Sequence, residues 1–497
     1  MHLNKLKPVT IYFMVIVLIC ITYGLYFNTT YNCDLLQAYK MPFGLEYGFR
    51  EFIRQRLANG RIVTVIPYLF YRLIWYLGVS YFSNQWVLQL LSFAVLAAGA
   101  TVAVRCIGNK YVLPLMIGLI SPAFVEIFAF CGLEQPMAYL LTALALYYYS
   151  KKRYIISCFI LLAAVSTYQS YAIVFAILML GYVYIHETGN GVKSRLVRYL
   201  IGMIITAVAA FSNILGTKAI CKIIAVPEVK HTASGFSFSF LRQRTLEIWD
   251  EYVAVLRSGY AYYPRNIILV LLTTFVLVTG VTLIKNKKWV RLAEYLIIVI
   301  AMLIMPVLFC YVTESAYLPQ RTILSFYMAI GLIFSVSLSE IEDDRIVRSG
   351  FALTGLFLLL TINRIQTGIM DYSICNKLEF YQAEQIVRYI KSYENQTGNT
   401  IDTIKVMKVP VGTQLFEQRY LNIFSDKGSV SQHLFGTSWS DVECISFVAG
   451  KIYNREDMTE EELQKRFPGF DRTTTDTLSE TEHLKADNNV LYWITIG

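Results

Sequence analysis

The sequence is poor in charged residues and in histidine. Charged side chains make up 16% of its 497 residues, and it has 5 histidines. Soluble domains carry about 25% charged residues, so this deficit argues against a soluble globular protein. The 9 cysteines form no CxxC pair and no metal-ligand spacing, which argues against a structural zinc site.

Internal repeats are also absent, although transporters tend to have repeated halves. The formal net charge of +9 would suit a nucleic-acid partner. The lysines and arginines, however, lie in short clusters between apolar runs, as positive charge does on cytoplasmic loops of membrane proteins. We therefore expect no nucleic-acid partner.

Long apolar runs are abundant. Hydrophobic residues make up 56% of the chain, and its mean hydropathy is +0.48. Runs of roughly 20 residues are enough to cross a bilayer core of about 30 Å. The sequence predicts a mainly α fold, a polytopic transmembrane helical bundle in the lipid bilayer. Its eleven predicted spans lie at about residues 10–27, 86–104, 111–130, 135–150, 154–167, 170–186, 199–216, 266–284, 294–313, 322–339 and 349–363.

One further apolar segment, residues 62–78, decides the topology. It is rich in aromatic residues and contains Pro67 and Arg72. If it spans the membrane, four later basic clusters lie outside, against the positive-inside rule. If it lies in the interface with Arg72 snorkelling, all four clusters lie in the cytoplasm. We predict the interface placement, with the N-terminus inside and the C-terminus outside; a twelfth span is the alternative.

The chain is predicted to have two domains. Residues 1–365 form the membrane region, with outer loops at 28–85 and 217–265, and the second loop has the apolar spacing of a surface helix. Residues 366–497 have denser charge and shorter apolar runs. They predict a small extracytoplasmic α/β domain, because "TIDTIKVMKVPVG" and "NNVLYWITIG" are typical of strands. This tail has no glycine-rich phosphate loop, and we expect a structural or acceptor-docking role.

The first outer loop carries acids and arginines. Asp34 lies just past the first span, and Arg61 closes the charged stretch. An acid held above the bilayer can take a proton from a hydroxyl group presented from water. Arginine suits a phosphate through charge-assisted, often bidentate, hydrogen bonds. The alternative is a solvated loop whose charges contact lipid headgroups.

Two glutamates lie near the next outer turn, in "VEIFAFCGLEQP". Glu126 lies inside an apolar segment, and Glu134 follows in the turn. A charge in a span costs about 2.5–3.5 kcal/mol on insertion scales and marks either function or an ion pair. For Glu126 the alternative to a catalytic role is a structural pair with an arginine such as Arg72.

Further polar residues lie at two later outer turns. Tyr168 and Gln169, in "TYQSY", are residue types that bind sugar hydroxyls, although anchoring in the aromatic belt is equally compatible. Arg321, in "PQRTIL", lies at the outer mouth of a span. It is either a phosphate clamp or a headgroup anchor.

Taken in order, Asp34 and "GR", then "PAFVEIFAFCGLEQPMAYLLTALAL", "STYQSYAIVFAILML" and "PQRTIL", resemble the bacterial serotype-converting O-antigen glucosyltransferase family. These are polytopic membrane glycosyltransferases of GT-C type, and the resemblance covers about residues 10–340. It implies an inverting transfer of a hexose, usually glucose, from a polyprenyl-phosphate sugar to a surface polysaccharide. It also implies that the transfer takes place on the outer face of the bacterial inner (cytoplasmic) membrane, with an acid in the first outer loop as base.

The candidate site residues follow from both lines of reasoning. The catalytic candidates are Asp34, Glu134 and Glu126, and those for substrate or phosphate binding are Arg61, Arg321, Tyr168, Gln169 and Arg72. The charge on the departing phosphate needs an arginine or a divalent metal such as Mg or Mn. A flippase and a donor synthase are the expected pathway partners. The rival functions are a polysaccharide polymerase and a non-enzymatic lipid-linked sugar flippase.

Overall fold

The computed structural model describes most of the chain and divides it into two compact units. The described residues are 6–24, 46–77, 85–129, 132–188, 191–225, 238–259, 262–311, 318, 320–408, 434–438, 440–470 and 483–495. Within them, residues 6–24 and 50–366 belong to the first unit, and residues 46–49 and 367–495 belong to the second.

The fold is mainly helical, with 79% of the described residues in helices. The helices in chain order are α1 (Pro8–Tyr23), α2 (Glu46–Ala58), α3 (Val65–Tyr76), α4 (Gln85–Ile107), α5 (Val112–Leu119), α6 (Pro122–Ala129), α7 (Glu134–Ser150), α8 (Tyr154–Val165), α9 (Tyr171–His186), α10 (Val192–Ile223), α11 (Phe238–Ser258), α12 (Ile267–Lys285), α13 (Trp289–Ile304), α14 (Leu324–Glu340) and α15 (Asp344–Thr397). Short 3₁₀ turns at Ile62–Thr64, Asn109–Tyr111 and Met305–Tyr311 connect or extend some of them.

Each of the eleven predicted spans overlaps helix in the described part of the chain. Five helices are long and apolar enough to cross a membrane by themselves, and α5 with α6 makes a sixth if the bent pair counts as one span. The other apolar helices are shorter than 18 residues. The chain is therefore a membrane protein with five to six candidate spans by length, and the count of eleven stays a prediction.

The predicted span at 111–130 is made of two helices rather than one. Its two halves, α5 and α6, are bent by 60° at a break before Pro122. Proline lacks a backbone N–H and cannot continue the helical ladder. The Tyr23 hydroxyl lies 2.9 Å from the Leu119 carbonyl oxygen and accepts from the Ser121 N–H at 3.0 Å. These bonds satisfy backbone groups that a break in an apolar segment leaves open.

Helices α1 and α4 run antiparallel. The Asn109 amide, just after α4, donates to the Leu6 carbonyl, just before α1, at 3.2 Å. The start of α1 and the end of α4 therefore lie at one end of the bundle. It follows that the intervening chain, 25–84, leaves and returns at the opposite end. The end of the bundle that holds the start of α1 and the end of α4 is called the basic end, because lysine- and arginine-rich loops meet there. The opposite end is called the site end.

The predicted outer loop 217–265 contains a surface helix, α11, as its apolar spacing predicts, and its first residues extend α10 to Ile223. In α11, Ile248 is buried, and the Tyr252 hydroxyl donates to the Leu303 carbonyl at 2.6 Å. Trp249 and Leu241 are exposed. The helix is anchored through Tyr252, which the apolar spacing alone could not single out.

The second unit contains a small sheet of four strands. They are β1 (Thr403–Met407), β2 (Asn454–Asp457), β3 (Leu484–Asp487) and β4 (Val490–Ile494), in the spatial order β2-β1-β4-β3. β1 pairs in parallel with β2 and β4, whereas β3 pairs antiparallel with β4. Two short helices, α16 (Asp441–Ala449) and α17 (Glu460–Arg466), lie between strands in the chain. Both predicted strand segments contain a strand, and residues 379–396 form the last part of α15.

Candidate functional site

A tight turn at Asn59–Arg61 forms the centre of the candidate site. Gly60 has φ +74°, a left-handed conformation that favours glycine. A Cβ atom at this position would lie 2.8 Å from Thr217 Oγ1 and 2.9 Å from Gln169 Nε2. The turn is thus packed closely against α10 and the turn before α9, and only glycine fits it without displacing a neighbour.

Arg61 is half-buried, and its guanidinium lies 4.6 Å from the centre of the Tyr168 ring. Among the described residues no carboxylate forms an ion pair with it, and its buried Nε has no hydrogen-bond partner. Burial lowers the pKa of Arg61; Tyr168 raises it, and the positive charges of Arg56 and Arg321 lower it further. Arginine stays charged in proteins, so this site holds a cation that an incoming anion would stabilise.

Glu126 and Arg321 form an ion pair beside this turn. The Glu126 carboxylate is fully buried and accepts from both the Arg321 guanidinium and the Arg321 backbone N–H, the latter at 2.8 Å. The Arg321 side chain keeps 26% of its surface exposed. A carboxylate from the bent helix pair therefore fixes an arginine at the start of α14. Arg72, the arginine suggested as a structural partner of Glu126, instead donates to the Tyr76 hydroxyl at 3.3 Å.

Tyr68 links a second arginine to the site. Arg56 Nε donates to the Tyr68 hydroxyl at 2.9 Å. Burial raises the pKa of Tyr68, the charge of Glu134 raises it further, and Arg56 lowers it. Glu134 is therefore close enough to Tyr68 to act on it electrostatically, and the site contains carboxylate and guanidinium groups around one tyrosine.

Glu134 begins α7 and is half-buried. The preceding backbone is held by Tyr71, whose hydroxyl accepts from the Leu133 N–H at 2.5 Å. A Cβ atom at Gly132 would collide with the Glu134 carboxylate. No cation among the described residues forms an ion pair with Glu134. Its carboxylate can therefore accept a proton, or a hydrogen bond from a hydroxyl group.

The structure brings six of the eight candidates together at the site end. These six are Arg61, Tyr168, Gln169, Glu126, Arg321 and Glu134. Arg72 is on the same helix as Tyr68 but contacts Tyr76. Asp34 lies outside the described residues. The chemical roles of all eight stay predictions.

Sequence reasoning missed Arg56, Tyr68 and Asn213. Arg56 was one of several arginines in a charged loop, and nothing in its spacing distinguishes it. Asn213 is a buried amide in an apolar run, which is a usable signal because polar side chains are costly in a membrane. Its Nδ2 donates to the Gly60 carbonyl at 2.9 Å.

A divalent metal has no preformed cluster in the part of the chain that the structure describes. No group of three or more histidine, cysteine, aspartate or glutamate residues is placed there to hold one. The described charges of the site come instead from guanidinium and carboxylate groups, of which Arg61 is available to an anion.

Apolar helices of membrane-spanning length define an integral membrane protein, and its charged candidate site lies at one end of the bundle. The family model for glucosyl transferase GtrII matches residues 49–338, more than half of the chain. The protein belongs to this family and is a membrane glycosyltransferase, which confirms the resemblance to the O-antigen glucosyltransferases. Searches of curated proteins and of solved structures returned no match.

Proposed function

We propose that the protein transfers a hexose, glucose above all, from a polyprenyl-phosphate donor to a cell-surface polysaccharide on the outer face of the bacterial inner membrane. The fold is a GT-C type bundle of eleven spans, and the transfer inverts the anomeric configuration. Family membership supports sugar transfer. The donor, acceptor, stereochemistry and orientation are our proposals.

The observation that carries the lipid-phosphate donor is the state of Arg61. Its guanidinium is half-buried, lies over Tyr168, and has no anionic partner among the described residues. A cation desolvated without an anion costs free energy, and a phosphate monoanion or diester would offset this cost. A sugar without a phosphate would not, so the charge favours a phosphate-bearing donor.

The position of α3 supports delivery of that phosphate from the bilayer. Ile66, Leu69, Leu73 and Tyr76 form one stripe of this helix, and more than half of each is exposed. At about 18 Å, the helix is too short to cross a core of about 30 Å. Because chain 25–84 also leaves and returns at one end, we infer that α3 lies in the interface rather than forming a twelfth span.

The proposed mechanism divides the charges by role. Asp34 removes the proton from the acceptor hydroxyl, whose oxygen attacks the anomeric carbon from the face opposite the phosphate. The bond from this carbon to the phosphate oxygen breaks, and the electron pair leaves with the phosphate. Arg61 and Arg321 stabilise the negative charge that develops there. Glu126 holds Arg321 in position.

The remaining site residues bind the sugars. Glu134, without an ion-pair partner among the described residues, accepts a hydrogen bond from an acceptor hydroxyl or serves as a second proton acceptor. Tyr168 supports Arg61 by a cation–π contact worth about 1 kcal/mol. Gln169 donates to the Asn59 carbonyl at 2.6 Å, so it shapes the turn more than it contacts sugar.

The second unit, residues 367–495, has the composition and sheet of a small α/β domain. We propose that it lies outside the membrane with the C-terminus and docks the polysaccharide acceptor. The basic end faces the cytoplasm in this topology, in accord with the positive-inside rule. A flippase that delivers the lipid-linked sugar and a synthase that makes it complete the pathway.

The test is transfer of labelled hexose from a synthetic polyprenyl-phosphate hexose to polysaccharide by the purified protein. We expect Asp34→Asn to lower kcat by at least about 100-fold, the usual contribution of a general base. Glu134→Gln is expected to lower it less. Adding and chelating Mg or Mn in the same assay measures any metal requirement.

The rival functions give different products. A polymerase would join whole repeat units and leave single hexoses untransferred. A flippase in vesicles would move label between leaflets without forming a glycosidic bond. Unchanged transfer by Asp34→Asn would remove the proposed base and leave Glu134 as the site's carboxylate to test.

A further inference from the structure

Asn213 connects a candidate span to the turn that carries Arg61. It lies in α10 and is 3% exposed. Its Nδ2 donates to the Gly60 carbonyl at 2.9 Å and to Ser166 Oγ at 3.0 Å. The amide therefore joins three separate parts of the chain: α10, the end of α8 and the turn before α3.

The same turn is held by further bonds on its other side. The Val63 N–H donates to the Ser166 carbonyl at 3.0 Å, and Gln169 donates to the Asn59 carbonyl. The Asn59 and Gly60 carbonyls, on successive residues, thus each accept from a side chain. A turn tied at so many points has a fixed position relative to α8 and α10.

This fixation matters because of what the Arg61 side chain lacks. Its guanidinium contacts the Tyr168 ring, and the described residues offer it no hydrogen bond or ion pair. Its position is therefore set by the backbone from which it projects. The Gly60 carbonyl and the Arg61 N–H form one peptide group. The hydrogen bond from Asn213 therefore holds the peptide group that is bonded directly to the Arg61 Cα.

We propose that Asn213 is a positioning residue, which holds the Asn59–Arg61 turn so that Arg61 presents its guanidinium to the donor phosphate. The inference rests on the proposed function of Arg61. A polar side chain inside an apolar helix costs free energy, and here its two donor hydrogens are both used. Positioning without new contacts is a recognised source of catalytic efficiency, because small displacements of a charged group lower its effect on the transition state.

A double-mutant cycle tests the proposal. Arg61→Met, Asn213→Leu and the combined variant are compared with the wild type in donor KM and kcat. Arg61→Met is expected to raise donor KM about 10- to 100-fold, as for loss of a charge-assisted hydrogen bond. Asn213→Leu is expected to raise it about 5- to 10-fold, with acceptor KM unchanged, and to add nothing when Arg61 is already replaced. This non-additivity indicates that Asn213 acts through Arg61.

Thr206→Val is the matched control. Thr206 is in the same helix, and its hydroxyl bonds only within that helix, to the Gly202 carbonyl at 2.9 Å. We expect wild-type kinetics from it. If Asn213→Leu does not fold, Gly60→Ala provides the second variant, since its Cβ would displace the turn from Thr217 and Gln169; its rise in donor KM should likewise vanish beside Arg61→Met.

The outcomes separate the two levels of the argument. If Asn213→Leu raises donor KM by the same factor in the wild type and in Arg61→Met, the positioning role is overturned. Asn213 then has a general structural role. An unchanged KM in Asn213→Leu alone would overturn it as well. If Arg61→Met leaves donor KM unchanged while transfer continues, the phosphate role of Arg61 is wrong, and the positioning role falls with it.

Discussion

The two ends of the membrane unit carry the same residue types in different states of pairing. At the basic end, Arg195 binds Glu294 through two bonds, of 3.0 and 2.8 Å. Arg291 joins Glu294 at 3.1 Å and Glu340 at 2.8 Å. A further pair, Arg198 with Glu187, lies nearby on α10 and at the end of α9. Among the described residues, these pairs together join three arginines to three glutamates.

The site end is organised differently. Glu126 and Arg321 are paired, but Arg61 projects over an aromatic ring, and Glu134 has no ion-pair partner among the described residues. Helix α14 begins beside Arg321 and ends at Glu340, so the two regions lie about 25 Å apart. The difference teaches that pairing, rather than the presence of charge, distinguishes the structural cluster from the candidate site. The network stabilises four helix ends, whereas the candidate site keeps Arg61 and Glu134 without ion-pair partners among the described residues.

The largest expected effect comes from breaking the ion pair between Arg321 and the buried Glu126 at the site end. Arg321→Met leaves the fully buried Glu126 carboxylate without its guanidinium, at a cost of about 3–5 kcal/mol. We expect a large fall in the thermal stability of the purified protein, together with loss of transfer. Adding Glu126→Gln should restore much of the stability but not the activity. Wild-type stability in Arg321→Met would contradict the pairing.

A smaller effect is expected from opening the network at the basic end. Glu294→Gln removes the carboxylate shared by Arg195 and Arg291, which are each slightly exposed. We expect a loss of about 1.5–3 kcal/mol in the free energy of unfolding, as for hydrogen bonds to charged groups, because both guanidinium groups lose a charged acceptor. The midpoint temperature of thermal unfolding should fall, while donor KM of the folded protein stays at the wild-type value. A selective rise in donor KM would mean that this end also serves the substrate.

The smallest effect concerns the ring beneath Arg61. Tyr168→Leu removes a cation–π contact worth about 1 kcal/mol, and we expect a rise of a few-fold in donor KM. Tyr168→Phe keeps the ring and should remain close to the wild type. If Tyr168→Phe raises donor KM as much as Tyr168→Leu does, the hydroxyl group rather than the ring is the functional part. A direct contact of the hydroxyl group with the sugar is then the better explanation.

The sequence predicts helices better than it predicts contacts. Apolar length predicts where helices lie, because a segment in lipid must satisfy its backbone hydrogen bonds internally. The break before Pro122 was missed, since a proline near the end of an apolar run does not reveal that a tyrosine from α1 compensates for it. The partner of Glu126 could not be predicted either. An acid in a span requires a cation, but the choice of Arg321 over Arg72 depends on tertiary packing.

Site residues in loops were partly predictable for the same reason. Arg61, Tyr168 and Gln169 were identified from turns with polar residues between apolar runs, and these turns do meet. Asn213 is different, because its role depends on the position of Gly60, which is 153 residues away in the chain. Local pattern carries no information about such a distant backbone partner.

The central claim is that Arg61 is a cation reserved for a phosphate, and binding of a short-chain polyprenyl phosphate to purified protein tests it most directly. Isothermal titration of the wild type, Arg61→Met and Glu294→Gln separates the site end from the network. The account predicts a 10- to 100-fold weaker affinity in Arg61→Met alone, consistent with loss of a charge-assisted bond. Equal affinities in Arg61→Met and the wild type would contradict it.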